Sequence, residues 1–241
     1  MDIFSDLEAE HDRLETILSG LADAAWLSES GAPGWTIADV VVHLAQTNEV
    51  VVASLATGDD SWRRGGQSVD ELVDDWVRAD RDAPSEVFAR WRAACRASVA
   101  ALRAADPRRR FAWAAAPLKP ATLATTRLAE HWAHGLDITG PLGIDFPDTA
   151  RLRHIAWLGH STLPYAFALA GRDPHPIYCR LTGPHGETWE LGPSDAASGV
   201  VGSAGEFCRV GAHRLSPEET ELVASGPDAA EALRLLRNYA S

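Results

Sequence analysis

Lysine is almost absent from this chain: Lys119 is the only one among 241 residues. The 34 acidic side chains outnumber the 22 basic ones, giving a formal net charge of -12. Such a surface opposes tight contact with polyphosphate or an anionic bilayer, so neither nucleic acid nor a membrane is expected as a partner. Cysteine is scarce as well. Cys95, Cys179 and Cys208 are odd in number, far apart and without a CxxC spacing, which excludes a disulfide framework and a thiolate zinc knot and fits a reducing cytoplasm. No run approaches the roughly 18 apolar residues of a membrane span. The opening MDIFSDLEAEHD is acidic where a signal peptide would be basic and then apolar. A soluble, unprocessed, cytoplasmic protein is therefore expected. Glycine-rich phosphate loops and a GxSxG elbow are missing, which argues against nucleotide binding and serine or thiol hydrolase chemistry. Repeats and low-complexity tracts are missing too, and the bias toward alanine, arginine, aspartate and tryptophan points to GC-rich coding.

What the chain does have is 46% hydrophobic residues, enough for one large or two modest packed domains. Leu7, His11, Leu14, Leu18 and Leu21 recur at spacings of three and four, predicting an amphipathic helix from Phe4 to about Trp26. Ser30, Gly31, Pro33 and Gly34 break it. Thr36 and Asp39 resemble a capping box opening a second helix that runs from Ile37 to about Leu55, ends at Gly58, and is apolar nearly all round. After a polar stretch at 61–66, the apolar pattern from Val69 to Leu102 is interrupted by Pro84 and reads equally as one kinked helix or two. A fourth main helix is expected from Pro120 to near Gly140 and Pro141. Four helices in series with modest connections predict an antiparallel bundle. A further helix over about 149–170 follows. Beyond Gly171 the texture changes to short strand-like runs, with Gly183-Pro184-His185-Gly186 as a hairpin turn. The fold class is α+β, with a helical bundle over 1–145 and a small α/β domain over 146–241.

The chemistry-bearing pattern lies in ATTRLAEHWAHGLDI. Glu130 and His134, four apart on a helix, stand about 40° apart around its axis and one turn apart along it, so both can reach one ion. His43 sits in WTIADVVVHLAQTNE among valine, alanine and leucine, where an unpartnered buried imidazole would cost a few kcal/mol, roughly. A metal bridging the two helices would satisfy all three. Two neutral imidazoles and a carboxylate suit zinc, and three protein ligands leave a fourth position open, as in catalytic sites. Nickel, iron and manganese accept the same set. The bland alternatives are a surface Glu–His charge pair and a hydrogen-bonded core histidine.

The segments GWTIADVVVHLA and RLAEHWAHGLDI resemble the DinB-like metal-binding bundles, and specifically the mycothiol-dependent maleylpyruvate isomerase branch of actinobacteria. In that resemblance His43 matches the first ligand and Glu130 and His134 the second and third. GPHGETWELGP followed by VVGSAGEFCRV is similar to the small α/β domain attached to such bundles, sometimes labelled a wyosine-base-formation domain. The resemblance implies a bundle whose divalent metal activates the thiolate of a low-molecular-weight thiol, usually mycothiol. The cofactor then supplies the nucleophile and the protein needs none.

Around the three ligands, Arg127, Asp39 and Thr47 are candidates to touch the metal-bound cofactor, Arg127 by holding a carboxylate. Ion pairing on the helix face explains Arg127 and Asp137 as well, and helix capping explains Asp39. His131 lies about 100° from Glu130 and is expected on a flank, beside the ligands or at the surface. His11 is expected to be a satisfied core histidine, Arg108-Arg109-Arg110 a solvated loop, and Cys208 a buried structural residue. Trp26, Trp35, Trp62, Trp113 and Trp132 either wall a pocket or fill the core. The expected function is a metal- and thiol-dependent transferase or isomerase acting on a small electrophilic metabolite, as a monomer or homodimer. The rivals are a metal-dependent hydrolase and a non-catalytic ligand-binding protein with a structural metal.

Overall fold

The computed structural model describes residues 2–58, 69–114 and 116–238. The polar stretch at 61–66, and Trp62 with it, lies outside them. The described chain divides into two compact units, one running to Phe146 and the other starting at Pro147.

The first unit is helical. Helix α1 (Ile3–Ser19) starts at Asp2, whose carboxylate accepts from the Ser5 N–H, and stops at Gly20. The leucine spacing predicts this helix on to Trp26. Gly20 ends it instead, and Asp23–Trp26 forms a separate single turn, α2. Helix α3 (Ile37–Thr57) opens with a complete capping box: Thr36 accepts from the Asp39 N–H and Asp39 from the Thr36 N–H. Gly58, left-handed at φ 70°, closes it. Pro84 separates α4 (Val69–Ala79) from α5 (Pro84–Ala104), since a proline suits a first helical turn and not an interior. Helix α6 (Pro120–Leu142) likewise begins on a proline, ends at left-handed Gly143, and carries Pro141 inside its last turn.

Helix α3 packs along α5, and α1 along α6. The core between them is made by Leu14, Leu18, Val40, Leu44, Trp91 and Ile138, each essentially fully buried. By length and mean hydropathy α3 is apolar enough to cross a membrane, although Asp39, His43, Gln46, Asn48 and Glu49 interrupt its apolar run. More than half of its most apolar window is nevertheless buried inside the protein, and Asp39, His43, Gln46 and Asn48 are buried polar residues on this helix.

The second unit is a four-stranded sheet with helices. Strands β1 (Ile177–Thr182), β2 (Thr188–Leu191), β3 (Ser198–Ser203) and β4 (Val223–Ser225) stand in the order β2-β1-β3-β4. Strand β1 is antiparallel to β2 and parallel to β3, with Cys179 opposite Leu191 and Val200. The hairpin turn contains Gly186 at φ 85°, a conformation that favours glycine. Helix α7 (Leu152–Leu169) packs on α8 (Ala204–Gly211) and α9 (Ala229–Leu235). This mixture of a helical bundle and a small sheet is the α+β class expected from the sequence.

Candidate metal centre

The middle of α3 delivers His43, and two successive turns of α6 deliver Glu130 and His134. His43 Nε2 lies 3.4 Å from Glu130 Oε2, and His134 Nε2 lies 3.6 Å from the same oxygen. One ligand atom from each of the three residues falls within 4.8 Å of the other two. The imidazole centroids are 5.0 Å apart at 72°.

His134 Nδ1 contacts Asp137 Oδ2 at 2.8 Å, across less than one turn of α6. A carboxylate there accepts a hydrogen bond from Nδ1–H and leaves the Nε2 lone pair facing Glu130, the orientation that metal-bound histidines usually have. Asp137 is fixed in turn, because the Gly31 N–H donates to its carbonyl at 2.7 Å. A Cβ at Gly31 would lie 3.0 Å from Asp137 Cα, so glycine allows this close approach of the α2–α3 loop to α6. The same loop places Trp35 against both imidazoles, 5.3 Å from His43 and 6.3 Å from His134. Its indole N–H is held by Asp74 on α4 at 2.7 Å.

Charge within the site follows from burial and pairing. Desolvation pulls His43 below its ordinary value and favours the neutral imidazole. Burial works to raise Glu130, but hydrogen bonds from His134 and His43 and the charge of Arg127 outweigh it, so the carboxyl stays ionised well below the usual range. For His134 burial works downward, yet Asp137 and Glu130 carry it above its ordinary value. With Nδ1 committed to Asp137, the His134 Nε2 lone pair faces an ionised oxygen, and two acceptors at that distance repel unless a cation lies between them. A proton or a divalent ion meets that need, and the donor set of two imidazoles and a carboxylate fits zinc and its neighbours in the first transition series.

The surrounding candidates fare differently. Arg127 is buried, 2% exposed. Its Nη2 stands 3.8 Å from Glu130 Oε1 and its guanidinium 4.8 Å over the Trp113 ring, while Nε and Nη1 have no partner among the described residues. Asp39 is not free for a cofactor, because Arg81 grips both of its oxygens at 2.7 and 2.8 Å and the helix cap shares one. The Thr47 hydroxyl donates back to the His43 carbonyl at 2.9 Å, as threonines on helices often do.

His11, Cys95 and His131 gather from three different helices. His131 is fully buried rather than at the surface, and it faces His11 of α1 and Cys95 of α5, with one ligand atom from each within 4.8 Å of the others. His11 is not a satisfied core histidine, since its Nε2 has no partner among the described residues. The missed signal was Cys95 on the apolar face of α5, near Trp91. Elsewhere Arg108, Arg109 and Arg110 are exposed, and Cys208 is buried with its Sγ 3.7 Å from the Leu152 carbonyl. Among the tryptophans, Trp35 walls the site, Trp113 supports Arg127, and Trp26 packs with Phe88 in the core.

Residues 7–139 match the family model described as the mycothiol maleylpyruvate isomerase N-terminal domain. Uncharacterised proteins from two strains of Mycobacterium tuberculosis are 36% identical over 242 residues, covering 98% of this chain and 94% of theirs. Crystal structures of the mycothiol-dependent maleylpyruvate isomerase and of a histidine-to-alanine mutant of it superpose with TM-scores of 0.61 and 0.63. They share 14% identity and cover 93% of this chain and 95% of theirs, a likeness of fold.

Proposed function

This chain belongs to the mycothiol maleylpyruvate isomerase N-terminal domain family, and on that footing we propose that it is a metal-dependent isomerase or transferase using a low-molecular-weight thiol, mycothiol or a close analogue, on a small electrophilic metabolite. His43, Glu130 and His134 hold the divalent ion, zinc before nickel, iron or manganese. When bound, that ion supplies the positive charge that keeps a thiol, ordinarily of pKa about 8.5, as thiolate at neutral pH. The chain's own residues do the rest. Asp137 holds the Nδ1 proton of His134 and so fixes which nitrogen faces the ion. Glu130 stays ionised under the joint pull of two imidazoles and Arg127. Trp35 covers both imidazoles and limits water on that side. Arg127, charged and short of partners at Nε and Nη1, receives a carboxylate of the thiol or of the substrate, and an alkene acid of the maleylpyruvate kind carries such a group.

The observation that carries this reading is the convergence of the three ligand atoms with the second carboxylate, Asp137, behind His134. The test is calorimetry on protein stripped by a chelator and reloaded with zinc. Mycothiol is expected to bind the reloaded protein, and His43→Ala to lose both zinc and thiol binding while keeping its helical circular dichroism. Absence of heat with mycothiol, glutathione and bacillithiol alike, or metal-dependent turnover that needs no thiol, overturns the assignment.

A further inference from the structure

A second set of ligand atoms lies in the same helical unit, behind α6 as seen from the first. His131 Nδ1 contacts the Arg127 carbonyl at 2.8 Å, and because a carbonyl only accepts, the Nδ1 carries the proton and Nε2 is left with its lone pair. That nitrogen accepts from the Trp91 indole N–H at 3.3 Å, a bond that an incoming ion would replace, and Cys95 Sγ lies 3.7 Å from it. The His11 ring stacks obliquely on His131 with centroids 4.3 Å apart. Exposure of His11, Cys95, His131 and Asn48 is 6%, 4%, 0% and 0%. Two polar atoms in this interior, His11 Nε2 and Asn48 Oδ1, have no partner among the described residues. Orphans of that kind cost about 1–3 kcal/mol each, and a ligand that satisfied them would return much of it. The Asn48 amide N–H groups meanwhile lie 3.4 Å from Cys95 Sγ and from His131 Nε2.

We infer that His11, Cys95 and His131 form a second, copper-binding centre that takes Cu(I), with the Asn48 amide beside it. The donor set is the first reason. One thiolate and two imidazoles is a combination that suits copper, whereas closed zinc sites use four strong ligands. Charge is the second. A cuprous thiolate is neutral, but a zinc thiolate leaves a positive charge in a dry interior, in a helical unit that already buries the Arg127 guanidinium. The fixed Nδ1 proton of His131 is the third, because a backbone carbonyl holding that proton is what orients a histidine ligand. Access is the fourth. A groove of about 540 Å³ between α1 and α5 has His11, Cys95 and Trp91 among its lining residues, and its charged rim is balanced, Glu8 pairing with Arg103 and Glu15 with Arg92. Binding replaces the Cys95 Sγ proton with the ion and releases that proton to solvent, with no change of oxidation state when copper arrives as Cu(I).

The test uses full-length protein with its first centre already loaded with zinc, titrated anaerobically with Cu(I) against a chromophoric cuprous chelator. One equivalent is expected to be withheld, with a new ultraviolet thiolate-to-metal absorption. Cys95→Ser and His11→Phe are each expected to weaken that binding by about 100-fold or more and to keep one equivalent of zinc. His43→Ala is expected to lose zinc and keep copper. The inference is overturned if no copper is withheld, if Cys95→Ser holds it as tightly as the parent, or if His43→Ala loses it. Should the core variants fail to fold, alkylation of the unaltered protein decides. Cys95 is expected to be shielded by one equivalent of Cu(I), and an unchanged rate of modification at Cys95 overturns the site.

Discussion

Arg127 is the residue at which stability and binding pull in opposite directions, and Arg127→Met separates them. The guanidinium is buried, with Nε and Nη1 unpartnered among the described residues. Each unsatisfied buried donor costs about 1–3 kcal/mol, so removing two relieves about 2–6 kcal/mol. Against this stand the 3.8 Å pairing with Glu130 and the contact with Trp113, together worth about 2–3 kcal/mol in a partly dry setting. Methionine keeps the apolar stem. With the middle of each range taken, the net expectation is a gain of about 1–2 kcal/mol, which for a chain of this length raises the unfolding temperature by about 2–8 °C. The same change is expected to weaken binding of carboxylated thiols and substrates by about 30-fold or more, since a buried charge pair is lost from the ligand side. Differential scanning calorimetry on the zinc-loaded protein, with and without ligand, reads both effects. A variant that melts several degrees lower while binding carboxylates as before would refute the reasoning, because Arg127 would then be a structural brace.

Three further outcomes follow from the same geometry. Asp137→Asn removes the carboxylate that holds the His134 Nδ1 proton and is expected to weaken zinc binding by about 10- to 100-fold, read by competition with a chromophoric chelator. Zinc affinity is expected to fall about tenfold per pH unit below the raised His134 value. Burial keeps His43 neutral and Glu130 is already ionised, so His134 alone carries the competing proton; affinity that stays level from about pH 7 to about pH 5.5 would contradict this. Burial first, and then the charge of Arg127, brings His11 down to about 3. The unfolded chain therefore takes up a proton below about 6.5 that the native state refuses, and stability falls with pH, by about 1.3 kcal/mol at this residue between about pH 7 and about pH 5.5. Urea titrations of the metal-free protein and of His11→Phe at both pH values should differ by that amount.

Much of the helical unit could be read from the chain because local signals decide it. The Thr36–Asp39 capping box and the Gly58 stop bound α3 within two residues of the reading, and Pro84 and Pro120 mark helix starts in their only comfortable position. The exception was the end of α1. Its leucine pattern continues past Gly20, and only the geometry of the next turn shows that Leu21 belongs to a different element. The spacing of Glu130 and His134 is a local property too, so their common face was legible. His43 joins them across 87 residues, and no periodicity specifies that pairing. Asp39 and Arg81 meet across 42 residues, which is why a carboxylate one turn from His43 could be taken as a cofactor contact when its oxygens are already engaged.

His131 shows the same limit on a finer scale. A rotation of about 100° from Glu130 says only that the two side chains diverge; whether the second meets solvent or protein depends on what packs behind α6. Helices α1 and α5 pack there, and the buried faces they turn inward include His11 and Cys95. One turn of α6 therefore faces two polar interiors at once, and Arg127 serves both. Its side chain stands by Glu130, and its carbonyl fixes the His131 proton. Arg127→Met removes the first contact and spares the second, so copper uptake at Cys95 should survive a substitution that abolishes carboxylate binding at the zinc centre.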